Sequence, residues 1–246
     1  MSDLNGKVAL VTGGSRGIGA AIARRLAADG AAVAITYASR EDDAFQVVSD
    51  IEASGGNAIA IQADSRNQQA IERAVESVVE SYSGLDILVN NAGVFVVGDF
   101  MEFSLDELDD SLAINLRAPF IAMQVAGKHL REGGRIINIG SNLASRVPWP
   151  GISLYAMTKS GLVGLTKGAA RDFGTRGITV NVVHPGSTDT DMNPAGGDHS
   201  DMQRGAMAIP RYNEASDVAG LVRWLAGPEG RSVTGAELTI DGGSNA

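Results

Sequence analysis

The sequence predicts one α/β domain, a doubly wound sheet of seven parallel strands with helices on both faces. Short β-branched apolar runs alternate along the 246 residues with longer segments whose apolar positions recur every three or four residues, the periods of strand and amphipathic helix. The apolar runs lack polar alternation, as strands do when both faces of a parallel sheet are covered. A glycine-rich turn separates the first run from the first helical segment, the place where such sheets bind anions.

The first strand is expected at Val8 to Val11, after which Ile18, Ala21, Ile22 and Leu26 share one helical face and the helix stops near Gly30. The pattern repeats with strands at Ala32 to Tyr37, Ile59 to Gln62, Asp86 to Asn90, Arg135 to Ile139, Ile178 to Val183 and Ala236 to Ile240. Leu105 to Leu130 reads as one long apolar helix. Within it Pro119 lacks the N–H that the carbonyl of Asn115 would bond, which predicts a kink. Neither an internal repeat nor a shift in composition divides the chain, so residues 1–246 are read as a single dinucleotide-binding and catalytic domain. Ligands in such sheets collect beyond the strand carboxyl ends, where strand order reverses.

Composition excludes several classes of function. A net charge of −9 offers no long-range attraction to nucleic acid or an anionic membrane surface. The absence of cysteine removes thiolate chemistry and cysteine-ligated metals, and His129, His184 and His199 lack H-E-x-x-H spacing, so no metal site is expected. Met1 to Lys7 lacks the layout of a signal peptide and no apolar run approaches membrane-spanning length, from which a cytoplasmic location is expected.

The glycine turn reads Thr12-Gly13-Gly14-Ser15-Arg16-Gly17-Ile18-Gly19. Glycines let the backbone approach a pyrophosphate, whose charge then meets the free N–H groups and positive end of the helix. A glycine turn that binds nothing is the plain alternative; the strand before and the helix after favour the cofactor reading. Farther along stand Asn90-Asn91-Ala92-Gly93, then Ser141, then Tyr155-x-x-x-Lys159. In this order and spacing the motifs resemble the short-chain dehydrogenase/reductase family, and within it the 3-oxoacyl-acyl-carrier-protein reductases. The resemblance spans the whole chain, through Pro185-Gly186 to the closing segment Gly235 to Gly243.

The resemblance implies a Rossmann-type fold and a nicotinamide dinucleotide held by Gly13, Ser15, Arg16, Gly17, Ile18 and Gly19. It further implies that Asp64 contacts adenine, that Asn91, Ala92 and Gly93 line the groove, and that Thr188 and Thr190, beyond Pro185 and Gly186, reach the nicotinamide amide. Members that use NAD usually carry an acidic residue at the end of the second strand. Here the chain reads Tyr37-Ala38-Ser39-Arg40, and Arg16 lies in the glycine turn. Two guanidinium groups beside Ser39, at the place of a 2′-phosphate, favour NADPH/NADP+ over NADH, although Glu41, Asp42 and Asp43 partly offset the field of Arg40.

Hydride transfer to a carbonyl leaves an alkoxide that needs a proton, and a phenol with its ordinary pKa near 10 is a poor donor at neutral pH. Tyr155 and Lys159, four apart, share a helical face, so the ammonium is expected to lower the phenol's pKa. Tyr155 is then the general acid, Lys159 its tuner and an anchor for the nicotinamide ribose, and Ser141 the donor that orients the substrate oxygen. By resemblance Asn115 holds a water that links Lys159 to solvent.

Leu143, Phe95, Val96 and Trp149 are expected to shape an apolar substrate pocket, with Met192, Met202 and Met207 in a lid. Trp224 is expected in the core and His184 to pack or hydrogen-bond. Two functions follow from this reading. One is an NADPH-dependent reductase of a small ketone or aldehyde, or the reverse reaction. Arg176, with Arg131 in place of Glu132, bears on whether the substrate is carrier-bound or free. The other is a regulatory nucleotide-binding protein, because Asp189 to Ala195 resembles a segment of a biofilm-dispersal member of the family that binds a cyclic dinucleotide. Intact Ser141, Tyr155 and Lys159 favour the enzyme. A homotetramer paired through the Leu105 and Tyr155 helices is also implied.

Overall fold

The computed structural model describes residues 3–246. Val8–Val11 form β1, buried along its whole length. Around it stand β2 (Ala32–Tyr37), β3 (Asn57–Gln62), β4 (Leu85–Asn90), β5 (Leu130–Ile139), β6 (Thr179–Pro185) and β7 (Glu237–Ile240). The seven strands form one sheet in the order β3-β2-β1-β4-β5-β6-β7, parallel throughout. The seven strands expected from the sequence are all present, and the fold is the expected Rossmann-type sheet.

Successive residues of β1 point to opposite faces, so each strand residue serves one of two cores. Ala9 and Val11 pack with Ile22 and Leu26 of α1 (Gly17–Ala28), Val47 and Ile51 of α2 (Glu41–Ala53) and Val222 and Leu225 of α8 (Ala215–Ala226). Val8 and Leu10 pack on the other side with Val75 and Val78 of α3 (Gln68–Tyr82). Ala122 and Ala126 of α5 (Ala118–His129) and Ala170 of α6 (Ser153–Phe173) complete that second core. Because β2 and β4 flank β1 on opposite sides, the loops after β1 and β4 diverge and open a crevice at their carboxyl ends.

Several expectations change. The segment Leu105 to Leu130 is not one kinked helix: α4 (Leu105–Leu112) passes through a π-helical turn, Ala113–Arg117, into α5, and Leu130 already belongs to β5. The wider turn accommodates Pro119, at the second position of α5, without the i→i−4 bond it cannot make. Ser104 and Glu107 start α4 with reciprocal capping bonds. β5 begins earlier than its apolar run, with Leu130 paired to Leu85 before an irregularity in register. The edge strand β7 alternates in exposure, unlike the inner strands. Trp224 is 37% exposed, because α8 buries positions 218, 219, 222, 225 and 226 and residue 224 falls outside that stripe. Among the described residues no helix is long and apolar enough to cross a membrane.

Candidate active site

The crevice floor is built by the glycine turn. Gly13 and Gly17 have φ of +64° and +53°, a region open to glycine and strained for most other residues. Gly19 must lack a side chain, since a Cβ there would lie 2.3 Å from the Gly13 carbonyl oxygen and 2.4 Å from Asn91 Nδ2. The turn is stitched to the loop after β4: Thr12 Oγ1 accepts from the amides of Asn91 (3.0 Å) and Ala92 (3.1 Å). In return Asn91 Nδ2 donates to the carbonyls of Thr12 and Gly13. On the other side Gly13 N–H donates to Thr36 Oγ1 at the end of β2. Arg16, at the N-cap of α1, makes no side-chain cap bond. The first-turn amides therefore face the crevice without a capping side chain, a donor set suited to a pyrophosphate.

The resulting cleft encloses about 430 Å³. Gly13, Ser15, Arg16, Gly17, Ile18, Gly19, Ser39, Arg40, Asp64, Asn91, Ala92 and Gly93 line it, together with Pro185, Gly186, Thr188 and Thr190. Ser141, Tyr155 and Lys159 face the same space. Asn115 does not; it is 1% exposed and lies behind the wall. Its side chain clamps Val94, accepting from the amide and donating to the carbonyl at 2.9 Å each, and donates to Thr158 Oγ1 at 3.1 Å. Thr158 in turn donates to the Tyr155 carbonyl at 2.8 Å. Sequence reading passed over Thr158, although a polar residue between Tyr155 and Lys159 on a buried helical face was the available signal.

Arg16 and Arg40 line the cleft, paired with Asp191 (3.1 Å) and Asp43 (3.2 Å). These pairs are partly exposed and weak, so a dianionic phosphate can displace the carboxylates. Asp64 accepts from the Arg66 amide at 2.9 Å. Thr190, whose methyl lies 3.3 Å from where a Gly17 Cβ would stand, and the Arg16–Asp191 pair fold the segment after β6 over the glycine turn.

At the other end Ser141 follows β5 by two residues and Tyr155 stands in the first turn of α6. Tyr155 meets Phe95 edge to face, with centroids 4.7 Å apart. The phenol opens on the cleft, yet desolvation by the packing round it pushes its pKa up to about 12, opposed by a hydrogen bond from Ser141. Lys159 is buried and donates to the Ile139 carbonyl at 2.9 Å, and burial pulls its pKa down to about 8. Its ammonium lies 5.7 Å from the Tyr155 ring centre. The expected acidification of Tyr155 by Lys159 is thus absent from the protein alone, because desolvation raises the phenol first.

Leu143, Trp149, Phe95 and Met192 also line the cleft, as do Asn142, Arg146, Gln203, Ser244 and Asn245, which sequence reading did not single out. The last two arrive from the chain terminus, where Asn245 Nδ2 donates to the Asn142 carbonyl at 2.7 Å, a contact no local pattern encodes. Val96 is not part of the wall. Nor are Met202 and Met207: the first is exposed on α7 (Ser200–Gly205) and the second is buried.

Residues 13–245 match a family model described as Enoyl-(Acyl carrier protein) reductase. The chain is 61% identical to a short chain dehydrogenase from Burkholderia cenocepacia J2315 solved in complex with NADP, with TM-score 0.98, covering 99% of this chain and 100% of that one. A blue fluorescent protein from a metagenomic library, solved in complex with NADPH, is 54% identical with TM-score 0.98, over 99% of this chain and 100% of that one. A cyclic-di-GMP-binding biofilm dispersal mediator protein of Escherichia coli K12 is 48% identical over 98% of each chain. The chain belongs to the short-chain dehydrogenase/reductase family of NAD(P)-dependent oxidoreductases.

Proposed function

We propose that the protein is an NADPH-dependent oxidoreductase that interconverts a small ketone or aldehyde with its alcohol. The observation that carries this reading is the meeting of Ser141, Tyr155 and Lys159 in the same cleft as the glycine turn. The glycine turn and the open amides of α1 fit the pyrophosphate; Arg16, Ser39 and Arg40 fit the 2′-phosphate, and Thr188 and Thr190 the nicotinamide end. When bound, the cofactor supplies the hydride and, in its oxidised form, a positive ring charge over the site. Ser141 Oγ orients the substrate oxygen, and the Tyr155 phenol gives that oxygen its proton during reduction and takes it back during oxidation. Lys159, tethered to Ile139, anchors the ribose and favours the phenolate as the proton leaves. Asn115 keeps the loop after β4 and α6 in register with one another. The Asn115 carbonyl, which has no amide partner at Pro119, is the group proposed to hold a water toward Lys159.

A free substrate fits better than a carrier-bound one. Arg131 is held by Asp86 (2.6 Å) and the Ser83 carbonyl, and Arg176 donates to the carbonyls of Gly127 and Leu130. Both guanidinium groups that would greet an acidic carrier are engaged within the chain. The reading includes a homotetramer paired in part through the apolar groove of Leu112, Leu116, Phe120, Gly161 and Leu165.

The test is loss of NADPH absorbance across diketones, β-keto esters and carrier-linked acyl analogues, with NADH and Tyr155→Phe alongside. Turnover that disappears in the variant supports the reading. Tight NADPH binding without turnover of any carbonyl favours a regulatory nucleotide-binding role, the function named for the Escherichia coli relative.

A further inference from the structure

We infer that His184 is a positioning residue for Ser141, whose amide it accepts only while its Nδ1 is unprotonated, and that the surface pair Glu237–Lys167 sets how readily that contact is lost. The inference rests on the reductase reading of the cleft.

Ser141 is extended, with φ −165° and ψ 147°. A residue in that conformation turns its own N–H and C=O to the same side, so one ring nitrogen can meet both. His184 Nδ1 lies 3.1 Å from the Ser141 amide nitrogen and 2.8 Å from its carbonyl oxygen. The ring occupies the space that a side chain at residue 140 would need: a Cβ on Gly140 would stand 2.5 Å from Nδ1. His184 is 1% exposed, and its Nε2 has no hydrogen-bond partner. That atom points to Glu237 Oε2 on β7, 3.6 Å away, while Oε1 of the same carboxylate takes Lys167 Nζ at 2.6 Å. A line of contacts thus runs from the Ser141 peptide through an imidazole to a surface ion pair on the far side of β6.

The two protonation states of His184 hold Ser141 differently. In the neutral ring with its proton on Nε2, Nδ1 accepts the Ser141 N–H while facing the Ser141 carbonyl oxygen at 2.8 Å with no proton between them, and Nε2–H faces Glu237. In the cation Nδ1–H donates to the Ser141 carbonyl, and the amide loses its acceptor. The peptide that aims Ser141 Oγ is then released on one side. Three charged groups bear on this equilibrium. Burial, the largest influence, and the ammonium of Lys159, on α6, favour the neutral ring; the hydrogen bond to the Ser141 carbonyl and the Glu237 carboxylate favour the cation. Lys167, also on α6, offsets Glu237.

The variants Glu237→Gln and Lys167→Met lie outside the cleft lining and act in opposite directions. Removing the carboxylate makes the cation harder to form and moves the acid limb of kcat to lower pH, by about 0.5 unit for a partly screened charge at this range. Removing Lys167 leaves the carboxylate unopposed and moves the limb to higher pH. His184→Asn puts an amide oxygen near the Nδ1 position, keeps an acceptor for Ser141 and removes the titration, so its limb flattens.

The companion measurement is imidazole nitrogen NMR on the cofactor-free protein, in which only three histidines contribute and His184→Asn identifies the signal. The expected result is one midpoint for His184 protonation and the Ser141 amide shift, moved by both surface variants in the directions given. The inference is overturned if the acid limb stays fixed in both surface variants, or if the His184 midpoint moves while the Ser141 amide does not follow. Should the wild-type protein turn over no carbonyl, the reductase reading fails by itself. The NMR titration then still decides whether His184 holds Ser141.

Discussion

Lys159 Nζ is tied to the carbonyl of Ile139, the last residue of β5, at 2.9 Å, two residues before Ser141, so the ammonium and the hydroxyl proposed to orient the substrate are fixed to one piece of backbone. The buried charge has a stability consequence. Its pKa falls from 10.5 to about 8, a cost of about 3 kcal/mol at neutral pH, part of which the Ile139 bond is already offsetting. Lys159→Met is expected to abolish turnover yet raise unfolding stability at pH 7 by about 1–2 kcal/mol. Between pH 8 and 10.5 the unfolded wild-type chain binds more protons than the folded one, so wild-type stability gains a rising component there and the variant does not. Urea unfolding at pH 7 and 10 on both proteins measures this; a variant less stable at pH 7 refutes it.

Tyr155→Phe is expected to lower kcat by roughly 10²–10⁴-fold while leaving NADPH affinity within about threefold. Ser141→Ala removes the hydrogen bond that opposes desolvation at Tyr155, so the pH at which the phenol ionises rises further. In the oxidative direction, which needs the phenolate, the rising limb of kcat shifts to higher pH. A limb unchanged in Ser141→Ala would separate Ser141 from the proton donor.

Arg40→Ala should weaken NADPH by about tenfold, or about 1.4 kcal/mol, and leave NADH within about twofold. Because Arg40 is exposed at the N-cap of α2, raising salt should shrink the difference between wild type and variant. Equal losses for both cofactors, measured by quenching or enhancement of nicotinamide fluorescence, would remove the 2′-phosphate assignment.

Asn115→Ala leaves the Val94 amide and carbonyl without their buried partners. Unfolding stability should fall by about 2–3 kcal/mol. A cost below about 0.5 kcal/mol in urea would mean that water replaces the clamp.

Phe120 is 51% exposed beside the groove of Leu116 and Gly161. Phe120→Arg is expected to turn a tetramer into smaller species by light scattering, and a wild-type monomer would end the assembly proposal.

The fold was readable because each strand carries its own apolar run. Val8–Val11 and Ala32–Tyr37 keep the bounds that their periodicity implies. The glycine turn was readable for a related reason: Gly13 and Gly17 are demanded by their positive φ and Gly19 by the Gly13 carbonyl six residues before it, constraints within one short stretch of sequence. Part of the cleft lining was not. Arg146, Gln203 and Asn245 reach the cleft through contacts between residues distant in sequence, and no short-range pattern marks them. Pro119 signalled a disturbance but not its form, since a kink and a π-helical turn both satisfy a missing N–H. The upward direction of the Tyr155 shift was not legible, because spacing names a neighbouring charge but not the burial that raises the phenol's pKa.

The stitch between Thr12 and Asn91 gives the crevice a kinetic character. Each loop satisfies the other's main chain before any ligand arrives, so a nucleotide meets a receptor already assembled. Association should be limited by encounter rather than rearrangement, with single-exponential traces whose rate grows linearly with nucleotide concentration. Evolution inherits the same separation: the segment after β6 and the terminal residues can be rewritten to admit new carbonyl compounds while the dinucleotide berth, braced from within, stays as it is.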